Sequence, residues 1–138
     1  IEKGKEYIKK SMRESNASKY HLEAVIAYWH TTESENKWEH ILSLYNQLLS
    51  IDYSPIIAMN RTFAVAMAKS IDEALIEAQK LVLTDNLHYY CLLAELYRLK
   101  QNSREEVKYL NRALDLSTKK SEQVLIKSKL AIASSKLQ

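Results

Sequence analysis

Apolar residues recur along this chain at the three- and four-residue steps of a helix, in blocks separated by short polar stretches. Leu22, Val25, Ile26 and Trp29 predict one packed helical face over Tyr20 to Thr31. After the acidic turn TESEN, residues Trp38, Ile41, Leu42, Tyr45, Leu48 and Leu49 predict a partner helix ending near Asp52. Ser54 to Leu83 then reads as two helices, SPIIAMNRTFAVAMAK and IDEALIEAQKL, joined by a tight turn. The first starts near Ile56 because Pro55 fits a first helical position, and it offers Ile57, Phe63, Ala64 and Met67 to the core. The second carries the stripe Ala74, Leu75, Ala78, Leu81 and Val82.

The helix starts share a chemical signature. Ser70 with Glu73 forms a capping box, and the same grammar stands 34 residues earlier in Asn36-x-x-Glu39 and 33 residues later in Ser103-x-x-Glu106. First helices start near Tyr20, Ser54 and His88, a similar step. Helix pairs at a period of about 34 are the tetratricopeptide grammar, in which units stack because none buries its apolar face alone. The third unit matches it best, with Tyr90, Leu93, Ala94 and Tyr97 in one helix and Leu110 and Ala113 in the next; Glu106 replaces the usual small residue, an exchange its capping role explains.

The expected architecture is all-α: a tetratricopeptide-like α-α superhelix of three hairpins over about 20–50, 54–83 and 88–116, with an N-terminal helix and a C-terminal cap over 121–138, together one helical-repeat domain. Tyr7, Ile8 and Met12 give the N-terminal helix its face, and Ser15 to Ser18 reads as a polar break after it. Ile126, Leu130, Ala133 and Leu137 draw one stripe on the last helix, leaving a polar back with Lys127, Lys129 and Lys136 in water. Capping the array is the expected role, and binding a partner is the alternative.

Composition agrees with helix throughout: 138 residues hold one Gly and one Pro, and 46% are hydrophobic. The single cysteine, Cys91, leaves no intramolecular disulfide, and no apolar run approaches a bilayer span, so the expected location is cytoplasmic with no membrane partner. The chain starts within a helical pattern and without Met, which reads as a piece of something longer. Its net charge of +3 hides an acidic middle between basic ends. Such ends suit nucleic acid or an acidic protein, or are simply solvated helix surface.

No catalytic signature is present, so the chain reads as no enzyme and as needing no cofactor: there is no glycine-rich phosphate loop, no GxSxG and no HExxH. His88 and Cys91 share a helical face, but no second pair follows at zinc spacing, so no metal site is expected. Trp29, Trp38, Phe63 and the tyrosines read as core residues rather than base-stacking platforms.

In a stacked array the first helices line the concave surface, which places Glu23, His30, Asn60, Arg61, Cys91, Glu95 and Arg98 at or near a groove. Arg61 stands alone among Ile, Met, Phe and Ala, and a buried unpaired cation is costly. An ion pair with Glu95 or Glu23 is therefore expected, as a clamp between neighbouring repeats or as part of a ligand contact.

Taken in order, YHLEAVIAYWH from Tyr20, W-x-x-IL-x-LYNQLL from Trp38, SPIIAMNRTFAVA from Ser54, YYCLLAELYRL from Tyr89 and YLNRALDLS from Tyr109 resemble a known domain. It is the C-terminal tetratricopeptide-like domain of extracytoplasmic-function (sigma-24 type) bacterial RNA polymerase sigma factors, and Ser54-Pro55 followed by Asn60-Arg61 is the sharpest element. The Asn-Ala-Ser-Lys junction before Tyr20, where the family tends to have Gly and Pro, departs from the pattern, as does the Lys-rich surface. The resemblance implies an accessory domain that contacts the sigma-factor core regions of the same full-length chain and RNA polymerase, with DNA bound by upstream regions rather than by this fragment. The competing expectation is a stand-alone tetratricopeptide adaptor holding a peptide in its groove.

Overall fold

The computed structural model describes residues 2–138, the side chains of residues 2–9, 11, 12 and 15 excepted. Among the described residues there are seven helices and no strand: α1 (Glu2–His30), α2 (Lys37–Ile51), α3 (Pro55–Ala68), α4 (Ile71–Leu81), α5 (Leu87–Leu99), α6 (Ser103–Leu116) and α7 (Lys120–Ser135). The chain is all-α. It divides into two compact units, Ile1–Ala64 and Val65–Gln138, with the division inside α3.

In the first unit α1 packs against α2. Leu22 and Ile26 of α1 and Ile41, Leu42, Tyr45 and Leu48 of α2 are buried, the face that helical spacing selects. The break expected at Ser15 to Ser18 is absent, and α1 runs through it for 29 residues. With neither Gly nor Pro in Ser-Asn-Ala-Ser, staying helical costs only tenths of a kcal/mol per residue. The face assigned to Tyr7, Ile8 and Met12 lies outside the described side chains.

The α1–α2 connection is tied by side chains. The Tyr28 carbonyl accepts from the hydroxyls of Thr31 at 2.8 Å and Thr32 at 3.0 Å, and Lys37 Nζ donates to the His30 carbonyl at 3.0 Å. A cation at a helix C-terminus suits the macrodipole. Asn36 precedes α2, but its side chain makes no capping bond, so the first of the expected capping boxes is not formed. Its backbone sits near φ −93°, ψ 6°, outside the extended geometry that turns an N-cap side chain toward the first amides.

Pro55 is the first residue of α3, and the Ser54 carbonyl accepts the first helical bond from Ala58 at 2.9 Å. The buried face of α3 differs from the expected one. Ala58, Met59, Thr62, Ala64 and Val65 are buried, Ile57 and Phe63 are half-buried, and Met67 is exposed. A helix apolar nearly all round does not define its inner face by periodicity. Thr62 avoids an orphaned hydroxyl by donating to the Ala58 carbonyl at 2.9 Å.

In the second unit Ser70 caps α4, its hydroxyl accepting from the Glu73 amide at 3.1 Å. The Glu73 carboxylate meets that hydroxyl at 3.3 Å, which closes the box on the side chain. Ala74, Leu75 and Ala78 are buried, but Val82 is not part of the stripe. It is the C-cap, left-handed at φ 47° and exposed. The starts of α4 and α6 lie 32 residues apart, as do those of α3 and α5.

The α5–α6 turn shows why this step is shorter than expected. The Asn102 amide donates to the Tyr97 carbonyl at 2.9 Å and the Gln101 amide to the Arg98 carbonyl at 3.0 Å, with Gln101 left-handed at φ 65°. This is a Schellman ending without glycine. Asn102 also caps α6, its side chain accepting from the Glu105 amide at 3.2 Å. The expected Ser103–Glu106 box is therefore displaced by one residue, because the residue that ends α5 is already placed to start α6. Glu106 is buried instead.

Tyr90, Leu93 and Ala94 of α5 and Leu110 and Ala113 of α6 are buried where these helices pack, and α7 packs on α6 through Ile126 and Ala133. Leu137 is exposed, so the stripe on the last helix is shorter than expected.

Candidate functional site

The polar residues singled out in the sequence fall into two groups, one in each unit. In the first, Glu23 and His30 are exposed on α1, Asn60 is exposed on α3, and Arg61 is half-buried beside it. Arg61 Nε donates to Asn46 Oδ1 of α2 at 2.5 Å, a partner the sequence does not mark because a neutral amide carries no charge to pair with an arginine. His30 stands edge-on to Trp38 at 5.5 Å, and Trp38 edge-on to Phe63 at 5.6 Å, so one indole links α1, α2 and α3. Trp29 stacks on His40 at 4.3 Å. An open groove of about 590 Å³ between α1 and α2 is lined by Ser18, His21, Gln47 and Ser50 among others.

Not every aromatic is a core residue. Tyr45, Tyr89 and Tyr90 are buried, but Tyr20, Tyr28 and Tyr53 are 64–68% exposed, contrary to the expectation for the tyrosines as a class. Tyr20 and Tyr28 lie two turns apart on the solvent side of α1, whose core side Leu22 and Ile26 occupy.

In the second unit α5, α6 and α7 assemble a charged cluster. Arg98 holds Glu95 in a two-pronged pair one turn away, Nε to Oε2 at 2.9 Å. Hydrogen bonding to Arg98 holds the Glu95 carboxyl below its usual range against partial burial, with Lys129 of α7 helping. Glu95 thus finds its cation, Arg98, within its own helix, where the expected partner was Arg61. Glu106, 5% exposed, has its Oε1 without a hydrogen-bond partner among the described residues. Burial pushes its pKa up; Lys136, Arg98 and Lys129 pull it down and Glu95 opposes them. Cys91, half-buried nearby, also has its pKa raised by burial. A thiol in this state is a poor nucleophile.

A tyrosine ladder lies along the same hairpin. Tyr109 of α6 stacks on Tyr97 at 5.6 Å and on Tyr90 at 6.2 Å, with Lys108 over Tyr109 and Arg112 over Tyr90. Tyr89 reaches back to α4, its hydroxyl donating to the Ala78 carbonyl at 2.9 Å. Tyr109, expected only as one of the core tyrosines, is half-buried and stacks at the centre of this ladder. His88 is exposed, and no three His, Cys, Asp or Glu side chains converge as metal ligands among the described residues. Among the described residues, neither group shows a nucleophile hydrogen-bonded to a base.

Among the described residues no helix is long and apolar enough to cross a membrane. No protein-family model matches the chain. It is similar, at 29% identity over 128 residues, to an uncharacterized protein of Rhizobium meliloti (strain 1021). The match covers 89% of this chain and 30% of that protein.

Proposed function

We propose that this chain is the accessory helical domain of an extracytoplasmic-function RNA polymerase sigma factor, acting in transcription initiation through protein contacts in the cytoplasm. The observation that carries the reading is the ordered set of five segments, YHLEAVIAYWH through YLNRALDLS, which fall in turn on α1, α2, α3, α5 and α6. Two others support it. The chain is helical throughout with short connections, as a domain of stacked hairpins requires, and the Rhizobium protein matches it over only 30% of a longer chain. In this reading the hairpins stack as a tetratricopeptide-like superhelix with α7 at its end. The Asn60–Arg61 face of α3 and the Glu95–Arg98 pair of α5 are then candidate contact surfaces for the sigma-factor core or polymerase, while upstream regions bind promoter DNA.

The test is affinity purification from the source cell with this chain, Arg61→Ala beside it and circular dichroism on both. Recovery of the sigma-factor core or RNA polymerase, weakened by a folded Arg61→Ala, is the expected result. Recovery of unrelated peptides alone overturns the reading in favour of a stand-alone adaptor.

A further inference from the structure

The last helix is covered on one side only. Ile126 and Ala133, two turns apart, are buried at 3% and 0% exposure against the second unit. On the opposite side Val124, Leu125 and Ile132 are 60%, 57% and 59% exposed. The expectation of a polar back on this helix is therefore corrected. At about 100° per residue these three fall on one strip with Ser121, Ser128, Ala131 and Ser135, all exposed. Lysines border the strip on both edges: Lys120 and Lys127 along one, Lys129 and Lys136 along the other, all exposed. Each pair is seven residues apart, two helical turns. The acidic residue within α7, Glu122, lies toward the core side and is half-buried. Glu95 and Glu106 temper the Lys129 edge from α5 and α6, while the stretch from residue 98 to 138 still holds ten basic residues to four acidic.

We propose that this strip is a docking surface for an acidic amphipathic helix, whose apolar residues cover Val124, Leu125 and Ile132 while carboxylates along its edges meet the two lysine pairs. Charge complementarity selects the partner's sign. Helix rather than lipid follows from the middle of the strip. Ser128, Ala131 and Ser135 are small enough for a second helix axis to approach to about 8–10 Å. A face that inserts into lipid needs bulky Trp, Phe or Leu where these small residues stand. The inference is independent of the transcription reading and holds whichever protein supplies the helix.

The test titrates the full 138-residue chain into a labelled, helix-stabilised peptide with a Leu/Ala face and Glu pairs seven residues apart on both edges. Companion probes are a scrambled peptide of the same composition, a peptide with Lys for Glu on one edge, and phosphatidylglycerol–phosphatidylcholine vesicles. The acidic amphipathic peptide is expected to bind at least about tenfold more tightly than its scramble. Val124→Ser with Ile132→Ser should weaken it about tenfold or more. Lys120→Glu with Lys127→Glu, which reverses one edge and leaves Lys129 and Lys136 on the other, should weaken the acidic peptide and favour the peptide carrying Lys on the matching edge and Glu on the other. All four positions are exposed, so circular dichroism should show both variants folded. Equal binding of scramble and amphipath, indifference to the serine variant, or binding to vesicles without binding to the peptide each overturns the proposal.

Discussion

The α1–α2 and α5–α6 connections do the same task by different means. Residues 31–36 join α1 to α2 with backbone bonds reinforced by two threonine hydroxyls, a lysine and an indole edge, and the Asn36 side chain ahead of α2 makes no cap. Residues 100–102 join α5 to α6 through a pair of backbone bonds, and Asn102 serves both helices, its amide ending α5 and its side chain capping α6. Where side chains make a turn, its length is free and the local sequence is weakly diagnostic. Where the backbone makes it, the geometry dictates which residue caps, whatever the neighbouring sequence offers.

The largest test of this contrast lies in the cores of the two units. Leu48→Ala and Leu96→Ala, at 1% and 0% exposure, should each lower stability by about 2–5 kcal/mol in urea unfolding. A much smaller loss at Leu48 would mean that the side-chain-tied hairpin is also loosely packed. Next comes Glu106→Gln, expected to stabilise by about 1–3 kcal/mol at neutral pH by removing a buried, incompletely bonded charge. The sign follows from its raised pKa. The folded chain keeps a proton that the unfolded chain releases near 4.5, so stability is full below that pH and declines as the pH rises through the raised value. Urea midpoints against pH should show this decline in the parent and lose it in the variant. Glu95 works in the opposite direction, its contribution lost as the pH falls below 4.5 through its lowered pKa.

Capping separates the two turns most directly. Asn102→Ala should cost about 1 kcal/mol, whereas Asn36→Ala should leave the midpoint unchanged. Equal effects would erase the distinction. The smallest change is a gain: Gln101→Gly relieves a left-handed non-glycine residue and should stabilise by about 0.5–1 kcal/mol in thermal or urea unfolding.

Helix content and most inner faces were legible because Leu22, Ile26, Ile41, Leu48, Leu93 and Leu110 sit at spacings that only a helix brings together. The Ser70 cap was legible for the same local reason. Three features were not. The left-handed residues Val82 and Gln101 lack the glycine that marks such endings, and α3 is too uniformly apolar to reveal its inner face. The outer strip of α7 is obscured because Val124, Leu125 and Ile132 interleave along the helix with the buried stripe of Ile126 and Ala133. In the candidate groups, Arg98 took Glu95 because a neighbour one turn away meets it without ordering a distant chain segment. Asn46 lay outside any charge-pairing argument.

Because Asn102 belongs to both helices, the rotational phase of α6 is geared to the end of α5. One residue inserted at this turn would rotate α6 by about 100°. Glu106, Leu110 and Ala113 would swing off the interface together, and Tyr109 would leave its place between Tyr90 and Tyr97. The three-residue turn thus acts as a detent, holding a whole face of contacts in step from a single asparagine.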